Sequence, residues 1–216
     1  MNLEKAKKIM NINFIGPDEL NKISDKINIK DYFINKHKIP RIPYNEDILK
    51  SSAEDFILIL GIPYTKDGKK MTIINMRNFF GFNPLKKEPC FYNQDWYLNE
   101  FFSNKESLKF KWYLIKKNII KETRGIEPDK IKYKLNKSEN FPSAVLSVYT
   151  FFVYYFHSKG KILWENDFLW CRDKDINGDR IYVGRYKDPE KINKNGFNIH
   201  RHLSIRQCYG AIKQII

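Results

Sequence analysis

Apolar positions along the chain fall into runs of different period, and each period predicts a different element. Phe56 to Ile62 is a continuous apolar run bounded by Asp55 and Pro63, short and rich in isoleucine, which predicts a central strand. Phe141 to His157 is longer and interrupted by Ser143, Ser147 and Thr150; it predicts a buried helix opened by Pro142 and closed near Gly160. Its length falls short of the roughly 20 residues a membrane span requires. Leu20, Ile23 and Ile27 follow Gly16-Pro17-Asp18-Glu19 at helical spacing, with proline at the first turn and acids at the positive end of the dipole. Asp31 to Tyr44, with Pro40 and Pro43, reads as extended surface chain. Asn45 then predicts the cap of a helix through about Ala53 that buries Ile48 and Leu49. Asp67-Gly68 marks a tight turn leading into an apolar segment, Met71 to Ile74. Lys109 to Leu114 begins as polar–apolar alternation, the pattern of a half-buried strand near a sheet edge guarded by lysines.

The last third changes character. Phe168 to Arg172 and Arg180 to Arg185 flank Asn177-Gly178, a strong hairpin signal, and a two-residue turn there sets Trp170 opposite Arg185 and places Arg172 and Arg185 on one face. Gly196 to His200 and Tyr209 to Lys213 read as two more strands. The predicted class is α+β: mixed helices and strands first, one buried aromatic helix at about 142–158, and a β-rich C-terminal third. One domain over 1–216 is expected, and the polar, basic stretch near 124–141, a loop by composition, is where it would subdivide.

Composition adds a partner. The chain carries 39 Lys plus Arg against 25 Asp plus Glu, a formal charge of +14, which points to a polyanion such as nucleic acid. Lysine outnumbers arginine 31 to 8, a bias that AT-rich coding sequence also produces, so the charge is weaker evidence than the same charge carried by arginine. Basic residues concentrate over 105–137 and 172–206, beside aromatic residues and histidines. The residues expected to touch phosphate or bases are Lys109, Lys111, Arg124, Arg172, Arg185, His200, Arg201 and His202. The aromatic stretch from Phe91 to Tyr113 reads as core, with a base-stacking platform as its alternative.

Other chemistry is incomplete at each place it is sought. Asp173, Asp175 and Asn177-Gly178 begin like a calcium loop, but Gly184 stands where a bidentate Glu is needed, so a solvated turn explains them. Asp55 with Asp67-Gly68-Lys69 has roughly the spacing of a paired-carboxylate nuclease, but the second acid falls in a turn. On a strand His200 and His202 share one face, where Cys171 or Cys208 could join them as zinc ligands, yet no zinc spacing is present. Three cysteines without C-x-x-C spacing predict no disulfide framework, and no metal or cofactor is expected. No nucleophile and base pair from sequence, which leaves open whether the protein is an enzyme. Met1 to Met10 lacks a secretory apolar region, so a cytoplasmic location without membrane association is expected.

From Trp170 to about Lys213, the short strands with Tyr182-Val183-Gly184-Arg185 and Asn195-Gly196-Phe197-Asn198-Ile199 faintly resemble the closing strands of C-type-lectin-like domains of the formylglycine-generating-enzyme type. Trp164-Glu165-Asn166-Asp167 echoes that family's Trp-Asn-Asp element. The resemblance implies a module binding a ligand or a protein partner, the alternative to nucleic-acid contact. The Glu-Pro-Asn sugar motif is absent, and no site residue carries over.

Overall fold

The computed structural model describes residues 1–29, 39–132, 135–136, 138–188, 195–201 and 204–216. The class is α+β. The chain opens with a helix that the apolar pattern does not announce, α1 (Leu3–Met10), capped where Asn2 accepts from the Lys5 N–H and burying Ala6 and Met10. Strand β1 (Phe14–Ile15) leads to α2 (Pro17–Asn21), where Glu19 reaches back to the Gly16 N–H at 3.2 Å. The predicted helix is broken here, since Ser24–Ile27 continues it only as a 3₁₀ turn. Residues 30–38 of the predicted extended segment lie outside the described residues. The part described is not a surface strand: Ile42 and Tyr44 are buried, and Pro40 accepts from the Trp112 indole.

Asn45 caps α3 (Glu46–Ser52), which buries Leu49 and leaves Ile48 half-buried, and β2 (Phe56–Leu60) is buried throughout. Gly68 turns the chain at φ 81°. The apolar segment beyond is not a strand: Thr72 accepts from the Asn75 N–H and caps α4 (Ile73–Phe80), so a cap decides what hydrophobicity leaves open. After α5 (Phe101–Asn104) comes β3 (Trp112–Lys116), whose first four residues are buried. Its expected edge position is wrong, because β2 covers one side and β9 (Gln214–Ile215) the other. The stretch read as a loop contains a short helix, α6 (Pro128–Lys132), and is followed by β4 (Glu139–Asn140).

Ser143 accepts from the Leu146 N–H and starts α7 (Ala144–His157), buried from Ala144 to Tyr154. Then come β5 (Phe168–Lys174), β6 (Arg180–Gly184), β7 (Asn198–His200) and β8 (Tyr209–Gly210). One sheet has the order β1-β2-β3-β9-β4 and the other β7-β6-β5-β8, so the C-terminal strands divide between the two. The Tyr149 hydroxyl donates to Leu60 O in β2, and Phe152 stacks on Phe80 at 3.9 Å and on Phe91 at 5.0 Å. Most rings of the 91–113 stretch, including Phe91, Tyr97, Phe102 and Trp112, are core.

The hairpin forms at Asn177-Gly178 with a different loop. Asp175 N donates to Asp179 O, the loop holds three residues, and only Gly178 takes positive φ, at 88°. The three-residue loop sets Lys174 opposite Arg180, and a further register shift between Lys174 and Trp170 then pairs Trp170 with Tyr182 instead of Arg185. The Asp175 carboxylate accepts from the Asn177 and Asp179 N–H groups, so the residues that resemble a calcium loop close the turn on themselves. Asp55 pairs with Lys116, while Asp67 pairs with Lys69 at a separate turn.

Candidate nucleic-acid interface

Alternation along the second sheet separates two faces. Leu169, Cys171, Ile181, Val183 and Ile199 join the main core, whereas Phe168, Trp170, Tyr182 and Tyr209 form a second cluster with Ile131, Phe141 and Ala211. The rings of this outer face meet mostly edge to face: Phe168 lies 5.4 Å from Tyr182 and 5.3 Å from Tyr209, and Trp170 5.0 Å from Tyr182. His200 extends the row, tilted 29° over Tyr182 at 5.9 Å. Phe168, Trp170, Tyr182 and Tyr209 are each at most 4% exposed, so their ring faces are not an open stacking platform.

At the β7 side this face ends in a cavity of about 460 Å³, walled by Tyr92 to Gln94, Phe168, Arg185, Asp188, Asn198, His200, Arg206 and Tyr209. Arg185 enters it through a backbone constraint. At Gly184, φ is 141° and an added Cβ would lie 2.2 Å from Asp167 O. The chain then places Arg185 at φ 52°, its N–H donating to Asp167 O at 2.8 Å. Its guanidinium stands 3.9 Å from Asp188 and 5.8 Å from the Phe168 ring centre. The amides of the wall are scaffolding: Asn198 Nδ2 donates to Arg185 O and Gly196 O, and the Gln94 amide nitrogen lies 3.2 Å from the His200 ring nitrogens. Arg206 is exposed and makes no ion pair among the described residues.

Arg124 stands behind this wall. It grips Asp167 with bonds of 2.6 and 2.8 Å, which raises its pKa further, and it also donates to Gln207 O. Cys208 feels the positive fields of Arg185 and Arg206, but burial outweighs them and raises its pKa, so the thiol stays protonated at neutral pH. Burial likewise raises the Tyr209 pKa. The cavity thus offers two guanidiniums, ring edges and the neutral Tyr209 hydroxyl, with the Cys208 thiol beside it in the chain but not in its lining. Among the described residues no three His, Cys, Asp or Glu side chains gather where they could hold a metal ion.

The other expected contact residues go elsewhere. Lys109 and Lys111 are exposed around Tyr113, the Lys111 ammonium 5.0 Å from its ring centre and the Lys109 N–H donating to its hydroxyl. Arg172 belongs to this second group: burial raises the Tyr113 pKa and the Arg172 charge opposes the rise. Its guanidinium is 3.9 Å from Glu106, and its backbone N–H leaves the hairpin to bond Pro142 O. The shared Arg172–Arg185 face expected from a two-residue turn is therefore corrected by the three-residue loop and the shifted register. Arg201 pairs with Asp175 at 2.5 Å and Glu100 at 3.5 Å and lies 4.5 Å over Trp96, so its charge is compensated. His202 lies outside the described residues. Sequence reasoning missed Arg206, Asn198 and Tyr92 to Gln94. Asn198 could have been found from its period-two relation to His200, but Tyr92 to Gln94 are brought in only by tertiary pairing, as Tyr92 N donates to Phe197 O.

No family model, curated protein or solved structure matches the chain, so the lectin-like resemblance of its C-terminal segment rests on the residues alone.

Proposed function

We propose that this protein binds nucleic acid, with phosphate groups held at the mouth of the cavity by Arg185, Arg206 and His200. The observation that carries this reading is the convergence of these three side chains, from the residue that follows β6, from the end of β7 and from the segment before β8, on one 460 Å³ space. Among the described lining residues two guanidiniums face one carboxylate, Asp188, which leaves that part of the wall with a positive balance. The +14 charge of the whole chain supplies long-range attraction. The group at Lys109, Lys111 and Arg172 gives a second, peripheral contact.

Phosphate contacts release counterions, so the affinity is expected to fall about tenfold or more between 50 and 200 mM salt if some three phosphates are engaged on a single strand. Anisotropy titrations with labelled single- and double-stranded DNA and RNA at both salt concentrations check this. Equal affinity at the two concentrations, or no binding at the lower one, rejects the reading. Arg206→Ala, an exposed change, is expected to weaken binding about five- to tenfold without altering thermal stability, whereas Arg201→Ala should affect affinity little because its charge is already compensated. Unchanged affinity in a folded Arg206→Ala protein removes the cavity from the interface.

A further inference from the structure

Phe101 is the exception in the aromatic stretch that supplies the core. It is 68% exposed, more than any other described aromatic residue, while its neighbour Phe102 is buried. Adjacent positions on a helix point about 100° apart, so the turn that buries Phe102 in α5 directs Phe101 outward. That turn is fixed at both ends. The Ser103 hydroxyl donates to Tyr97 O and Glu100 O, and Phe101 O accepts from the Lys105 and Glu106 N–H groups at 3.0 and 3.2 Å. An ordered backbone thus holds this ring open to solvent, whereas the rings on the outer face of the second sheet are closed. Ile176, 87% exposed, stands at the tip of the β5–β6 hairpin, and its N–H donates to the Glu100 carboxylate at 3.0 Å. The hairpin tip is thereby tied to the start of α5, and two exposed apolar side chains share one rim.

The charges around this rim favour an anion. Its carboxylates are engaged, Glu100 with Arg201 at 3.5 Å and with the Ile176 N–H, Glu106 with Arg172 at 3.9 Å and with Asp173. Lys105, Lys109 and Lys111, which follow Phe101 in the chain, are exposed and make no ion pair among the described residues. An open ring followed by uncompensated cations suits a ligand that carries flat faces on an anionic backbone. We infer that Phe101 stacks on an unpaired base, with Ile176 bordering it, a contact that only single-stranded nucleic acid can use. This rests on the nucleic-acid reading above and names the form of nucleic acid bound. The rim is linked to the cavity through two connections. Gln94 is in the cavity wall, the Trp96 indole donates to Ile199 O at 3.0 Å, and its ring lies 6.1 Å from Phe102. Arg201, which follows His200, pairs with Glu100, which precedes Phe101. A strand held by a phosphate in the cavity therefore has this ring ahead of it for a neighbouring base.

Anisotropy titrations with three ligands of one length test this: oligo(dT), an abasic strand with the same phosphates, and a duplex. Phe101→Ala, an exposed change that should leave thermal stability unaltered, is expected to weaken oligo(dT) binding about tenfold and to leave the abasic strand and the duplex unchanged. Phe101→Trp should restore the affinity for oligo(dT), and its added emission should be quenched by oligo(dT) but not by the abasic strand. Arg206→Ala, by contrast, should weaken all three ligands, since each carries phosphate. If Phe101→Ala binds oligo(dT) as wild type does, stacking is wrong and phosphate binding stands. An equal loss for all three ligands also overturns it, because the ring would then support the interface without touching a base. If wild type binds none of the three, both readings fall.

Discussion

Gly184→Ala is expected to destabilise the protein by about 3 kcal/mol or more, roughly a 10 °C fall in Tm for a chain of this size, and to remove nucleic-acid binding with it. Two independent effects act together. At φ 141° an L side chain is strained whatever the space, and the added Cβ would meet Asp167 O at 2.2 Å, backbone that no rotamer can move aside. Relief requires β6 and the Trp164–Asp167 segment to part, breaking the bonds from Arg185 N to Trp164 O and Asp167 O and releasing Arg185 from the cavity. Gly178→Ala is the control: its φ is also positive, at 88°, but nothing lies within 4 Å of the added Cβ, so only the turn's conformational cost of about 1 kcal/mol applies. Calorimetry on both variants decides the matter. Equal losses of stability would show that positive φ alone matters and that the close approach to Asp167 does not.

How much of this was legible follows from where each signal lives. Strand β2 is apolar throughout and helix α7 nearly so, with only Ser147, Thr150 and His157 interrupting it, and the burial of β2 and of α7 as far as Tyr154 permits little else. The hairpin was legible at Gly178, but its register depended on whether the loop had two residues or three, where the Asp175 side chain bonds the N–H groups of Asn177 and Asp179, and on a further shift between Trp170 and Lys174 that no turn signal announces. Strand β3 was misplaced because Lys109 and Lys111 look like edge guards, whereas the strand that covers its other side, β9, comes from Gln214–Ile215, about 100 residues later. The same distance hides the site. Arg185 and His200 are separate basic residues in the sequence, and it is long-range pairing, of Tyr92 with Phe197 and of Gln94 with Ile199 and His200, that brings Tyr92 to Gln94 opposite them. Arg201, equally basic in sequence, is lost to the site because Asp175 and Glu100 reach it first.

The largest pH effect on stability is expected at Asp173, on the bulged part of β5. Its carboxylate accepts from the Ala144 N–H at 2.6 Å, at the start of α7, a position that favours the charged form. Burial outweighs this, and the neighbouring Glu106, hydrogen-bonded to it, adds to the rise, so the pKa is pushed up to about 7 from an ordinary 3.8. The folded protein thus holds a proton that the unfolded chain has released. The stability this group contributes is complete below the ordinary carboxylate range and is lost as pH rises through about 7. Asp173→Asn keeps an acceptor for the Ala144 N–H and supplies a permanent donor toward Glu106, without a proton to lose. Relative to wild type, it should gain roughly 2 to 4 kcal/mol as the pH is raised from 4 to 8, measured by chemical denaturation at intervals of half a pH unit. Asp173→Ala also cannot ionise, but it leaves the Ala144 N–H unsatisfied and should be less stable than Asp173→Asn by a similar amount at every pH. A wild type and Asp173→Asn that run parallel across this range would place Asp173 in its ordinary charged state, held by the helix start against its burial.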